Sequence, residues 1–154
     1  MQPDVATTTS STTTTMPPTT NTTTATPTAF HAIPADSVGV TGTARCTFPD
    51  VEGFKAVCQL DMSDPRVSGT EVSDNYRFFG EDDDDADAVV WVADDVLTNE
   101  EGTWRGATQA ADDSTPCGES HLVGEGAYEG LEFHYYFCHT SAGAELRGWI
   151  SSGE

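Results

Sequence analysis

Residues 130–139 read GLEFHYYFCH, and the alternation in this stretch decides the fold. Successive side chains of a strand point to opposite faces, so Leu131, Phe133, Tyr135 and Phe137 share one face, and Glu132, His134, Tyr136 and Cys138 share the other. The first face is that of a core and the second is that of a solvated wall. The same rule over residues 54–62 (FKAVCQLDM) groups Phe54, Ala56, Cys58, Leu60 and Met62. Over residues 38–48 (VGVTGTARCTF) it groups Val38, Val40, Ala44, Cys46 and Phe48.

Further short runs of β-branched and apolar residues lie at 67–79, 87–93, 103–110, 119–125 and 144–150, separated by Gly, Asp, Asn, Ser and Pro. No long amphipathic helix is legible, and the connections are too short for crossover helices, so neighbouring strands are expected to run antiparallel. The predicted fold class is all-β: a small antiparallel β-barrel of about eight strands in a meander, with a β-sandwich as the alternative. An open sheet of this size would leave exposed edges. Glycines recur before small or polar residues in VTGT (40–43), VSGT (67–70) and EGTWRG (101–106). Such glycines mark the bends by which a sheet curls.

Four cysteines, Cys46, Cys58, Cys117 and Cys138, make an even set, read as two disulfides. Three pairings are open, and chain order favours Cys46 with Cys58 and Cys117 with Cys138. Zinc is the rival reading, but no CxxC knuckle is present, and only His139 directly adjoins a cysteine, Cys138.

Residues 1–30 contain fourteen Thr, two Ser and four Pro, and Asp4 is their only charged side chain. Such a segment has almost nothing apolar to bury against a backbone entropy cost of roughly 1–2 kcal/mol per residue. Residues 1–35 are therefore expected to be a disordered Thr/Pro-rich stalk or linker, of a kind often O-glycosylated, and residues 36–154 one acidic, disulfide-stapled β-barrel domain. The stalk and the cysteines together predict an extracellular or surface-tethered protein. Residues 1–30 have neither a basic n-region nor an apolar h-region, so no signal peptide or lipid anchor is legible in the sequence as given: either a signal is removed ahead of Met1, or the stalk reading fails and the protein is cytosolic. The sequon Asn21-Thr22-Thr23 carries little weight in so Thr-rich a segment. No apolar run is long enough to span a membrane as a helix.

The formal charge is −20. A field of that sign repels phosphate backbones, which excludes nucleic acid as a partner and leaves cations, basic partners, a small ligand or a cell-envelope component. The acidic run at 81–87 offers Asp83, Asp85 and Asp87 to a hard divalent cation. It departs from the EF-hand pattern, with Ala88 at the glycine position and Asp94 at the closing glutamate position, and a solvated turn is the reading preferred. No resident cofactor is expected beyond weak divalent cation binding.

A carboxylate, a base and a cation would meet if Glu125, Tyr128, His134, Arg105 and Asp61 converged, but no G-x-S-x-G elbow or free thiol supplies a nucleophile. No catalytic residue is assigned. Aromatic side chains such as Trp91, Trp104, Trp149 and Tyr128 suit either stacking on a flat ligand or filling of a small core. The candidate ligand-binding set is Trp104, Arg105, Glu125 and Tyr128.

The segment GTWRGATQAADDSTPCGESHLVGEGAYEGLEFHYYF, with the later GAELRGWI, resembles the closing half of small exported bacterial β-proteins of uncharacterised function. More distantly it resembles the Gly-rich hairpins of the allene oxide cyclase and dirigent barrel superfamily. The run 124–131 (GEGAYEGL) looks like the turn that in such barrels joins two strands while an aromatic plugs the barrel end. The resemblance covers about the last fifty residues and implies a barrel, with enzyme-type members placing carboxylate or polar groups in the cavity. Fold alone does not license function. The expectation is a binding module. The alternatives are a cyclase- or dirigent-type enzyme acting on a small apolar molecule, and an acidic structural module without ligand. Two ionisable side chains in a cavity would speak for the enzyme, an apolar cavity without them for the binding module, and a filled core for the structural module.

Overall fold

Period-two sequence with short polar connections resolves into strands that each pair with the next. The structure, a computed structural model, describes residues 32–50, 54–79, 91–110 and 117–153. It contains β1 (Val38–Asp50), β2 (Lys55–Met62), β3 (Gly69–Phe78), β4 (Trp91–Thr98), β5 (Gly102–Ala110), β6 (Cys117–Gly126), β7 (Leu131–Thr140) and β8 (Gly143–Ser152). All neighbours are antiparallel, and β8 returns to β1 with Val38 opposite Ile150 and Ala44 opposite Ala144, so the meander closes into a barrel. That closure removes the sandwich alternative, because no edge is left. The candidate cation residues Asp83, Asp85 and Asp87, and the Thr-rich segment through residue 31, lie outside the described residues.

The alternation read in β7 holds. Phe133 and Tyr135 are buried inside the barrel, while His134 and Tyr136 lie on the outer wall. Ala56, Cys58, Leu60 and Met62 of β2 also point inward. Val38, Phe48 and Phe54 do not join the core and stay 51, 62 and 55 % exposed, because Val38 opens β1, Phe54 precedes β2 and Phe48 lies at the open end of the barrel. Both disulfides follow chain order, Cys46 with Cys58 and Cys117 with Cys138, each joining directly opposed residues of one hairpin. The first faces the barrel interior and the second the outer wall, as expected for an oxidising, extracellular-type environment.

Two expectations need correction. The strand expected at 87–93 continues to Thr98, and so takes in Asp94 and Asp95, while residues 87–90 lie outside the described residues. Asp is depleted in strands, which makes this pair look like a turn, yet Asp94 finds Arg77 on the outer wall at 2.9 Å and Asp95 is enclosed within the barrel. The strand expected from residue 67 begins at Gly69. Val67 instead ends a single 3-10 turn, Pro65–Val67, started by the Asp64 carboxylate accepting from the Arg66 N–H.

This turn forms part of a plug. Val67, Leu97, Trp104, Leu122 and Phe133 are fully buried at one end of the barrel, and Tyr128 from the β6–β7 turn lies over Trp104 with ring centroids 4.9 Å apart. Gly124 makes this possible. A Cβ there would collide with the Tyr128 backbone carbonyl and lie 2.7 Å from the Tyr128 Cβ. Asn99 ties the plug together. Its Nδ2 donates to the Arg66 and Ser68 carbonyls at 3.0 and 3.1 Å, and its Oδ1 accepts from the Tyr128 hydroxyl at 2.9 Å and from the Gly102 N–H at 3.1 Å. The Trp104 indole N–H donates to the Arg66 carbonyl at 2.8 Å.

Candidate functional site

Away from the plug, the inward positions change character. Ala144, Ala44 and Ala56 on the adjoining strands β8, β1 and β2 replace the large rings, and Ser73, Ala93, Thr108 and Ser120, on β3 to β6, face them. Small side chains on one wall leave room that the opposite wall does not fill, and a cavity of about 190 Å³ results. An eight-stranded barrel has an interior just wide enough to be filled or to hold one small ligand. Here it is filled at the plug and hollow towards the other end.

The mouth is rimmed by aromatic rings. A bulge in β3 between Asp74 and Arg77, with Asn75 in the left-handed region at φ 53°, advances the alternation by one residue. The bulge turns Tyr76, and not Asn75, into the cavity wall. Tyr76 lies 5.3 Å from Trp91 and 6.4 Å from Phe54, and Phe54 lies 5.2 Å from Phe78, all between ring centroids. Phe48, Phe54 and Phe78 are more than half exposed, so the rim presents apolar surface to solvent around an opening.

The polar part of the interior is a connected set of acids and hydroxyls. Glu71, on β3, lines the cavity and is 5 % exposed, and the Tyr135 hydroxyl lies 2.8 Å from each of its carboxyl oxygens. Asp95, on β4, is 1 % exposed, and its Oδ1 has no partner among the described residues. Ser120 Oγ donates to Thr108 Oγ1 at 2.7 Å, and Thr108 donates onward to the Glu119 carbonyl at 3.1 Å. Ser120 Oγ also approaches Asp95 Oδ2 as a donor at 3.4 Å, so its one proton serves either Thr108 or Asp95. Burial favours the protonated carboxyls. It pushes Glu71 up to about 8, with the nearby Asp95 charge adding to the shift and the Tyr135 hydrogen bond opposing it. Burial likewise pushes Asp95 up to about 7, against hydrogen bonds from Ser73 and Ser120. The Tyr135 phenol is raised well above its ordinary value by burial and then by the charges of Glu71 and Asp95. At neutral pH the barrel therefore holds acids poised to donate hydrogen bonds or to ionise against a cation.

The residues singled out from sequence do not meet in this cavity. Trp104 and Tyr128 belong to the plug, while Arg105 and Glu125 pair at 2.9 Å on the outer wall, each about half exposed. Asp61 is exposed on β2, and His134 lies on the outer wall of β7. His121, Glu132 and His134 form the one group of three potential metal ligands among the described residues. Glu132 is held below its ordinary value, first by its hydrogen bond with His134.

Glu71 and Asp95 were not legible in the sequence. Val72 is the only apolar residue between positions 69 and 75, and simple alternation would put it inside and Glu71 outside, the reverse of what the register imposes. Comparison with protein-family models, with curated proteins and with solved structures finds no match. The class defined by fold and site is thus an up-and-down eight-stranded barrel, plugged at one end and open at the other to a mainly apolar cavity with Glu71 in its wall.

Proposed function

We propose that this protein is an extracellular binding module, displayed on its Thr-rich stalk, that takes a small single-ring molecule bearing an amine into the open end of the barrel. The observation that carries this reading is Glu71, a buried carboxyl at the wall of an otherwise mainly apolar cavity. A cavity of roughly 150 Å³ suffices for a benzene-sized ring, and 190 Å³ leaves space for a short side chain. The aromatic rim supplies a stacking entrance. An ammonium group would replace the proton of Glu71 as the partner of the carboxylate, and a net charge of −20 draws cations to the opening.

Calorimetric titration of the full chain with benzylamine, toluene and phenylacetate tests this. Benzylamine should bind best and phenylacetate should not bind. Glu71→Gln should weaken benzylamine by about 10- to 100-fold, since a hydrogen bond to a charged group is worth about 1.5–3 kcal/mol, and should leave toluene unaffected. Equal binding of amine and carboxylate, or no binding of any ring compound, would overturn the reading. The latter outcome would favour the acidic structural module.

A second reading, a barrel enzyme working on a small apolar molecule, is favoured by one observation. Glu71 and Tyr135 are two ionisable groups in hydrogen-bond contact at the cavity wall. In that reading a proton passes between the Glu71 carboxyl and a bound ring compound, with Tyr135 orienting the carboxyl. Mass-spectrometric detection of a converted ligand, lost in both Glu71→Gln and Tyr135→Phe, would select it over simple binding.

A further inference from the structure

We infer that the outer wall of the barrel carries a transition-metal site formed by His121, Glu132 and His134, independent of the interior cavity. Antiparallel register places His121 of β6 directly opposite His134 of β7, and Glu132 lies two residues before His134 on the same face. Both imidazole Nε2 atoms point at one carboxylate oxygen, each 3.3 Å from Glu132 Oε2, and the three donor atoms lie within 4.8 Å of one another. Metal–ligand bonds near 2.0–2.1 Å in a tetrahedron put the ligand atoms about 3.3 Å apart, so the two nitrogen–oxygen edges already have the required length.

The supports of the two histidines differ. The His134 ring stacks on Trp149 with centroids 5.1 Å apart and planes 8° apart, and Trp149 is itself buried at 9 % exposure, so this ligand is held in place. His121 stacks on the other face of the pair at 4.0 Å and is half exposed, free to turn its ring until its lone pair converges with that of His134 on a common ion. Two imidazoles and one carboxylate suit zinc, cobalt, nickel or copper over calcium or magnesium, which prefer all-oxygen sites. Three protein ligands leave a position open to water or to a further donor, the arrangement of sites that act on a bound molecule and not of closed structural sites.

Titration of the full chain with Co²⁺ in the presence of excess Mg²⁺, which occupies the acidic surface, tests the site. One equivalent should bind with the visible absorption bands of low-coordinate cobalt, and Zn²⁺ should displace it. A lost ligand costs at least the roughly tenfold in affinity that a lost outer-shell partner does. His121→Ala and Glu132→Gln should therefore each weaken binding tenfold or more. His134→Phe keeps a ring against Trp149 and should do the same in a folded barrel. Absence of Mg²⁺-resistant binding, or equal affinity in all three variants and the parent, would overturn the inference.

Discussion

Glu71 shows how one residue links stability to pH. Its carboxyl titrates near 4.5 when unfolded and near 8 in the barrel, so between these values the folded state binds more protons than the unfolded chain. A raised folded pKa contributes stability that is fully present below pH 4.5 and is lost as pH rises through 8. The expected outcome is a barrel that unfolds at a lower temperature at pH 8.5 than at pH 5, with a loss on the order of a few kcal/mol shared with Asp95. Global charge repulsion acts in the same direction, so the control is Glu71→Gln, whose profile should be flatter. A parallel displacement of both curves in thermal melts would count against the buried carboxyl as the source. None of this was legible beforehand. A lone Glu among Thr, Val and Ser reads as solvent-facing, and only the strand register turns it inward.

At the scale of elements, each end of the barrel is held differently. The plug depends on three connections brought together by Asn99: the 3-10 turn at Pro65–Val67, the turn that Asn99 itself begins between β4 and β5, and the β6–β7 turn carrying Tyr128. Asn99→Ala removes the partners of several part-buried groups at once and should cost about 2–3 kcal/mol in denaturant unfolding. Exposed Asp61→Ala should change stability by no more than about 0.5 kcal/mol. Tyr128→Phe loses the hydroxyl's contacts with Asn99 and, more weakly, Glu101, and should fall between them, near 1 kcal/mol. The turn at 124–131 was visible as glycines around an aromatic, because close backbone approach needs glycine locally. The role of Asn99 was not visible, because its partners Arg66 and Tyr128 lie 33 and 29 residues away in sequence. The same applies to β4, whose Asp pair looks like a turn until Arg77 and the barrel interior supply its surroundings.

For the whole molecule, packing secures one end and covalent bonds the other. Both disulfides lie towards the mouth, one spanning twelve residues and one twenty-one, where a hollow interior gives little cohesion. Each should contribute about 3 kcal/mol by restricting the unfolded chain, slightly more for the longer loop. Reduction should therefore loosen the mouth first. Hydrogen exchange is expected to rise at the mouth-side residues of β1, β2, β6 and β7 while amides around Trp104 stay protected. Uniform loss of protection would mean that the barrel opens as one unit. Period-two alternation, glycine at the bends and an even set of cysteines in hairpin order determined an all-β meander stapled twice, because each of these signals acts between near neighbours along the chain. Closure of β8 on β1, the inward turn of Glu71 and Asp95, the hollow above the plug and the meeting of His121 with Glu132 and His134 were decided only by tertiary structure. Register couples residues far apart in sequence, and a shift of one residue would exchange every inside position for an outside one.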